Sequence, residues 1–326
     1  MDVPHLLEVA VEVAALAFQK EVHAVARKDL RDAAARRFHC ARWTHSHQFG
    51  NCTRPQCQAP VHGIRTVVRR KIVRPPGLAH VSGAEERLTN DPTSELWGEH
   101  RSRYRFAARR VRSGQRILDV ASGAGFGLEL LAQTGACPVG VDYAADALSD
   151  VRRRQPTARV VRADATNLPF RTASFDAVVS FETIEHVADA GALVHSIRRI
   201  LKPGGQLVLS TPNRAFGPAE RHTSNPFHVR EFSAGELYDL LARAFDEVRL
   251  YGQRPQPAYR YVPFLMVDRD LSPAALAWKL MVRLPFNAKD GLARALTGRP
   301  FYPGEDDFCF DDERVEGAHA LIAVAQ

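Results

Sequence analysis

The stretch Ile117-Leu-Asp-Val-Ala-Ser-Gly-Ala-Gly-Phe-Gly127 constrains the fold more than any other part of the chain. A short apolar run carries an acid, Asp119, and passes into a turn with glycine at Gly123, Gly125 and Gly127; a helix pattern follows from Leu128. Glycines at this spacing remove side chains where a ligand's polar groups approach backbone N–H groups. An acid at a strand's carboxyl end sits where open α/β sheets bind ligands. The segment therefore predicts a strand, a ligand-binding turn and a helix.

The same grammar repeats downstream. Val139-Gly-Val-Asp142 is a second strand ending in an acid, and Val160-Val-Arg-Ala-Asp164 a third. Phe175-Asp-Ala-Val-Val-Ser180 reads as a fourth strand, and Leu201-Lys-Pro-Gly-Gly205 as a turn into a fifth. Strands are expected near 116–120, 138–142, 158–162, 175–180 and 205–211, with two more over Asp246–Tyr251 and Ala318–Val324. Helices are expected near 95–106, 125–134, 144–154, 189–201 and 234–244. Alternation of this kind implies a parallel sheet with crossover helices.

Dinucleotide folds space their glycines G-x-G-x-x-G. Here the spacing is G-x-G-x-G with an acid upstream, which speaks against a nicotinamide-dependent dehydrogenase. With the acids at three successive strand ends, the segment resembles motif I of class I S-adenosylmethionine-dependent methyltransferases, roughly D-x-G-x-G-x-G. Ala121 stands at the first glycine place. The resemblance implies a Rossmann-like α/β fold: a seven-stranded, mostly parallel sheet with helices on both faces. Its last strand is antiparallel and inserted between the fifth and sixth. The helix near 95–106 would lid the cofactor. S-adenosylmethionine would be held by Asp119, Ala121, Gly123, Gly125, Gly127, Asp142, Tyr143, Asp164, Ala165 and Phe181. Asp142 would take the ribose hydroxyls and Asp164 the adenine amino group.

The acceptor side is read from Phe181-Glu-Thr-Ile-Glu-His-Val187. It resembles the E-x-x-E-H-V segment of ubiquinone-biosynthesis O-methyltransferases and of bacterial enzymes acting on sugars and secondary metabolites. By that resemblance Glu182, Glu185 and His186 could hold Mg²⁺ and lower a hydroxyl's pKa. Alternatively, Glu185 and His186 cap the following helix and line the cofactor pocket, or His186 acts as a general base without a metal. Asn225-Pro-Phe-His-Val-Arg-Glu-Phe232 resembles a substrate loop, in which His228 and Arg230 could meet an acidic or hydroxylated acceptor or serve only loop hydrogen bonds and an ion pair with Glu231. The candidate catalytic residues are therefore His186, Glu185 and His228. The Asp/Asn-Pro-Pro-Tyr/Phe segment of amino-methylating DNA enzymes is not matched. A small-molecule acceptor is expected, with methylation at oxygen or nitrogen. The rival readings are a nucleic-acid methyltransferase using a basic arm and a non-catalytic S-adenosylmethionine-binding protein.

The net charge of +7 resides in residues 1–80, which hold 13 Lys+Arg against 6 Asp+Glu; residues 81–326 hold 31 of each. A neutral catalytic body argues against nucleic acid as its partner. Residues 1–80 are read as a basic N-terminal extension, with an amphipathic helix over 6–38. Three readings stay open for it: a zinc group of Cys40, Cys52, Cys57 and His62, a solvated basic arm, or translation upstream of the natural start. Residues 81–326 form the methyltransferase domain. Within it, 253–315 is a proline-broken insertion that either helps form the substrate pocket or covers the sheet edge. No apolar run spans a membrane, no signal peptide is evident, and the cysteines form no secreted framework. A cytoplasmic location is expected.

Overall fold

The computed structural model describes residues 91, 93–94, 96–216, 227–256, 259, 281 and 283–326. The extension 1–80 with its expected helix and cysteine group, and part of the insertion expected over 253–315, lie outside the described residues.

The chain alternates as its apolar pattern requires. It runs α1 (Trp97–Ala108), β1 (Arg116–Val120), α2 (Phe126–Ala132), β2 (Cys137–Asp142), α3 (Ala145–Arg154), β3 (Arg159–Arg162), β4 (Phe175–Phe181), α4 (Ala190–Ile200) and β5 (Leu201–Pro212). Then come α5 (Ala234–Ala242), β6 (Val248–Pro255), α6 (Phe286–Thr297), β7 (Phe308–Asp311) and β8 (Ala320–Ala325). Short 3₁₀ turns occupy Ala165–Asn167 and Ile184–His186.

The eight strands among the described residues join one sheet in the order β3-β2-β1-β4-β5-β8-β6-β7. The first five pair in parallel. β8 lies antiparallel between β5 and β6, as expected. β7 adds a strand beyond the expected seven, antiparallel on β6. Phe308-Cys-Phe-Asp311 does not alternate apolar with polar residues, so this edge strand was hidden within 253–315. The chain leaves β1 to build one half of the sheet with β2 and β3, then returns to β4 on β1's other side. That reversal is a topological switch point at the carboxyl ends of β1 and β4, the place where such sheets bind ligands.

Both faces are buried. Leu118, Val120 and Val178 pack into one apolar cluster with Leu193, Ile197, Leu237 and Leu241 of α4 and α5. Their strand neighbours Ile117, Ala177 and Val179 pack into the other with Tyr104, Phe106, Leu130 and Leu131 of α1 and α2. Successive side chains point to opposite faces, so a continuous apolar run is what a doubly covered strand needs. The helices start where their caps allow. Asp189 accepts from the Ala192 N–H at 2.8 Å to begin α4, and Ser233 with Glu236 forms a reciprocal capping box on α5. Glu185 and His186 lie upstream of the α4 cap, so the capping role considered for them is not theirs. The Lys-Pro-Gly-Gly turn is absorbed into β5 as an irregularity, where the pairing jumps from Phe175–Leu201 to Ala177–Gln206. Among the described residues no helix is long and apolar enough to cross a membrane.

Candidate active site

The glycine turn follows directly from β1. Ala121, Gly123 and Gly125 have φ of 60°, 50° and 76°, a left-handed region that costs an L-residue about 1–2 kcal/mol. Ala121 tolerates what glycine would do freely. A Cβ on Gly125 would lie 2.7 Å from Val151 Cγ2, and one on Gly127 would overlap the Tyr104 ring. Gly127 thus serves the packing of α1 on α2 as well as the turn. The turn is stitched to β2: the Ser122 N–H donates to the Val141 carbonyl at 2.9 Å, and the Gly123 N–H to Asp142 Oδ2 at 2.8 Å. Asp142 Oδ1 accepts from the Ala144 N–H. Each carboxylate oxygen still has a lone pair for a ligand hydroxyl.

Asp119 is fully buried at the end of β1. Its described side-chain hydrogen bonds come from the Tyr104 hydroxyl, 3.2 and 3.1 Å from its two oxygens. Burial raises its pKa to about 8; the Tyr104 hydrogen bond opposes this and the nearby Asp142 charge adds to it. Tyr104 also stands edge-on to Phe181, with centroids 4.9 Å apart. Tyr143 is exposed beyond Asp142, with the Arg162 guanidinium over its ring at 5.6 Å. Asp164 is exposed and turns the chain by accepting from the Thr166 N–H and hydroxyl at 2.8 and 2.7 Å. Ala165 opens the short turn that follows. The expected cofactor residues therefore line the ends of β1, β2, β3 and β4. Sequence reasoning did not single out Tyr104; its one signal was a tyrosine in the helix expected to cover the cleft.

The acceptor-side residues divide into two groups. Glu182 adopts φ 47°. Its Oε1 pairs with Arg103 Nη1 at 3.1 Å and accepts from the Ser210 hydroxyl at 2.8 Å. Arg103 is itself buried, paired also with Glu99 and donating from Nε to Gln253 at 2.7 Å. Burial would raise the Glu99 pKa, but the charges of Arg103 and His319 overcome it and hold the carboxyl well below the usual range.

Glu185, His186 and His228 form the second group, with their donor atoms all within 4.8 Å of one another. Glu185 is fully buried; its Oε2 accepts from the Thr211 hydroxyl at 2.9 Å. Its Oε1 has no hydrogen-bond partner among the described residues. Burial, with the neighbouring Glu182 charge, pushes its pKa well up. His186 Nδ1 lies 3.1 Å from the Phe227 carbonyl and His228 Nδ1 2.8 Å from Glu231 Oε1. The two imidazoles meet edge to face, with centroids 4.9 Å apart. The Val229 and Arg230 N–H groups both donate to the Glu185 carbonyl, tying the loop to the turn. Arg230 pairs with Glu236 at 3.3 Å rather than with Glu231. Mg²⁺ on Glu182, Glu185 and His186 does not fit this arrangement. Glu182 is committed to Arg103 and Ser210, and the imidazole added by His228 makes the group nitrogen-rich, whereas Mg²⁺ prefers oxygen ligands.

A strand order reversing beside β1, a glycine turn and acids at adjacent strand ends define a Rossmann-like fold for a nucleotide cofactor. The family model described as a methyltransferase domain matches residues 118–209. A Mycobacterium tuberculosis protein described as a "probable S-adenosylmethionine-dependent methyltransferase" is 35% identical over 195 residues, which are 57% of this chain and 71% of that protein. A similarly described protein of Mycolicibacterium smegmatis is 39% identical over 137 residues, 42% of this chain. The chain spans about half, 53%, of that relative's length. Demethylmenaquinone methyltransferase of Beutenbergia cavernae is 37% identical over 132 residues, covering 38% of this chain and 53% of that enzyme. The chain belongs to the class I S-adenosylmethionine-dependent methyltransferases.

Proposed function

We propose that the chain methylates an oxygen or nitrogen of a small-molecule acceptor such as a sugar, a phenol or a secondary metabolite. The observation that carries this reading is the Glu185–His186–His228 group beside the cofactor residues at the end of β4. A small acceptor is also consistent with a relative named for demethylmenaquinone. On the cofactor side, Asp142 takes the ribose hydroxyls, Asp164 the adenine amino group, and Asp119 faces positive charge. Asp119 suits that place because it is buried and held by one hydroxyl, an environment that a cation would improve.

S-adenosylmethionine supplies a methyl group already activated on a sulfonium, so the chain mainly orients the acceptor and excludes water. A hydroxyl acceptor must also lose its proton as its oxygen forms the new bond to carbon. The His186–His228 pair receives that proton when no ion is bound there. The cofactor's sulfur keeps the electron pair of the broken bond and leaves as a thioether. In a radiolabelled methyl-transfer screen over glycosylated and phenolic metabolites, H186A and H228A should each lower kcat by about 10²–10⁴-fold. Cofactor affinity by calorimetry should be little changed in both, whereas D142A should lose it. Wild-type turnover in both histidine variants would overturn the acceptor site. Unchanged affinity in D142A would overturn the cofactor site.

A further inference from the structure

We propose that Glu185, His186 and His228 bind a divalent transition-metal ion of the zinc kind. Three donor atoms from the turn after β4 and the loop before α5 lie within 4.8 Å of one another. Each side chain is held by a further contact. His186 Nδ1 is against the Phe227 carbonyl and His228 Nδ1 against the Glu231 carboxylate, at 3.1 and 2.8 Å. Thr211 holds Glu185 Oε2 at 2.9 Å. Backbone carbonyls and carboxylates on Nδ1 are the contacts that orient metal-binding imidazoles and raise their basicity, leaving Nε2 for the ion. His186 Nε2 stands 3.9 Å from Glu185 Oε1, too far for a hydrogen bond between them.

Independently of that cluster geometry, Glu185 Oε1 is buried without a hydrogen-bond partner among the described residues. A buried carboxylate oxygen left unpaired costs stability unless a ligand satisfies it. Two imidazoles and one carboxylate make a donor set suited to zinc and its neighbours, with a remaining position for another ligand.

The inference deepens the acceptor-site reading and rests on it only for what the ion would do. A cation there would ease ionisation of an acceptor hydroxyl, whose proton would pass to solvent. Binding is measured apart from turnover, so loss of the metal site and loss of methyl transfer are separate results.

The test uses the full-length protein, stripped with EDTA, dialysed against Zn²⁺ alone and assayed for bound metal. H186A and H228A should each bind one equivalent fewer than wild type. E231Q should weaken that equivalent by about 10–100-fold, while E182Q should keep it. In the Co²⁺ form this equivalent should show ligand-field bands without sulfur charge transfer, separating it from any ion on Cys40, Cys52 or Cys57. Circular dichroism checks each variant's fold, and E231Q carries the test if H228A misfolds. Equal metal content in wild type, H186A and H228A would overturn the proposal. So would an equivalent lost in E182Q but kept in H228A, or wild-type affinity in folded E231Q.

Discussion

Replacing Asp119 by Asn removes a buried charge that the protein without cofactor holds with difficulty, and the consequence can be worked from the structure. The carboxyl has a pKa of about 8 against 3.8 for an ordinary aspartate, because burial outweighs the hydrogen bond from Tyr104. Roughly nine in ten copies are then protonated at pH 7 and about one in ten at pH 9. A ligand whose cation faces Asp119 ionises it on binding, so about 0.9 proton should be released at pH 7 and ~0.1 at pH 9. Calorimetry with S-adenosylmethionine in buffers of different ionisation enthalpy reads that number. The ligand's own ammonium titrates nearby, so the relevant quantity is wild type minus D119N, titrated at ligand concentrations that saturate the weaker variant. Stability follows the same linkage. The folded-state pKa is raised, so the folded chain binds the extra proton between pH 4 and 8. This contribution is therefore lost as pH rises through that window. At about 1.4 kcal/mol per unit, the ceiling is several kcal/mol. Urea unfolding should show D119N gaining on wild type from pH 4 to pH 8 and holding a constant lead above it. Glu185, whose pKa is also raised by burial, contributes to both proteins and cancels in the difference. Equal proton release at the two pH values, or parallel stability curves, would refute the reasoning.

Two further substitutions probe the frame around the site. G127A drives a methyl into the Tyr104 ring; it should cost about 1–3 kcal/mol in urea unfolding, and less in a Y104A background, so strict additivity would contradict the packing role. Asn213 is buried, and its Nδ2 donates to the Glu316 and Ala318 carbonyls at 2.8 and 2.9 Å, joining the end of β5 to the approach to β8. N213A should lower stability by about 2 kcal/mol, and a change below ~0.5 kcal/mol would show that those carbonyls find other partners.

The cofactor half of the site was legible because its chemistry is local. A turn that needs left-handed backbone declares itself in glycine spacing, and acids at strand ends lie a few residues from the strands that carry them. Even Ala121, the departure from the glycine pattern, sits at positive φ where the motif placed it. The acceptor half depends on encounters between distant segments. Glu182 lies three residues before Glu185 and looked like its partner. Its backbone at φ 47° and the guanidinium of Arg103 instead draw its carboxylate to another neighbourhood. His228 was visible as a loop histidine. Its place against His186 is made by two backbone hydrogen bonds to the Glu185 carbonyl, which no spacing announces. The edge strand β7 was hidden because Phe308-Cys-Phe-Asp311 shows no alternation of apolar and polar residues.

The acids around the site fall into two groups according to whether a cation pairs with them. Arg103 pairs with both Glu99 and Glu182; the first pair lies within α1, and the second fastens α1 to the end of β4. Asp119 and Glu185 are more deeply buried than either, yet no described ion pair from an arginine or lysine reaches them; their described side-chain hydrogen bonds come from the hydroxyls of Tyr104 and Thr211. A hydroxyl can hold a carboxyl in place in either protonation state, whereas a guanidinium would fix it as an anion and compete with a cationic ligand. Tyr104 and Arg103 are consecutive residues of α1, about 100° apart around a helix of 3.6 residues per turn. One helix can therefore reach the ends of both β1 and β4, closing one acid and leaving the other open to charge. The acids answered by hydroxyls are those where positive charge is expected to arrive: the cofactor's cation at Asp119 and a metal ion at Glu185.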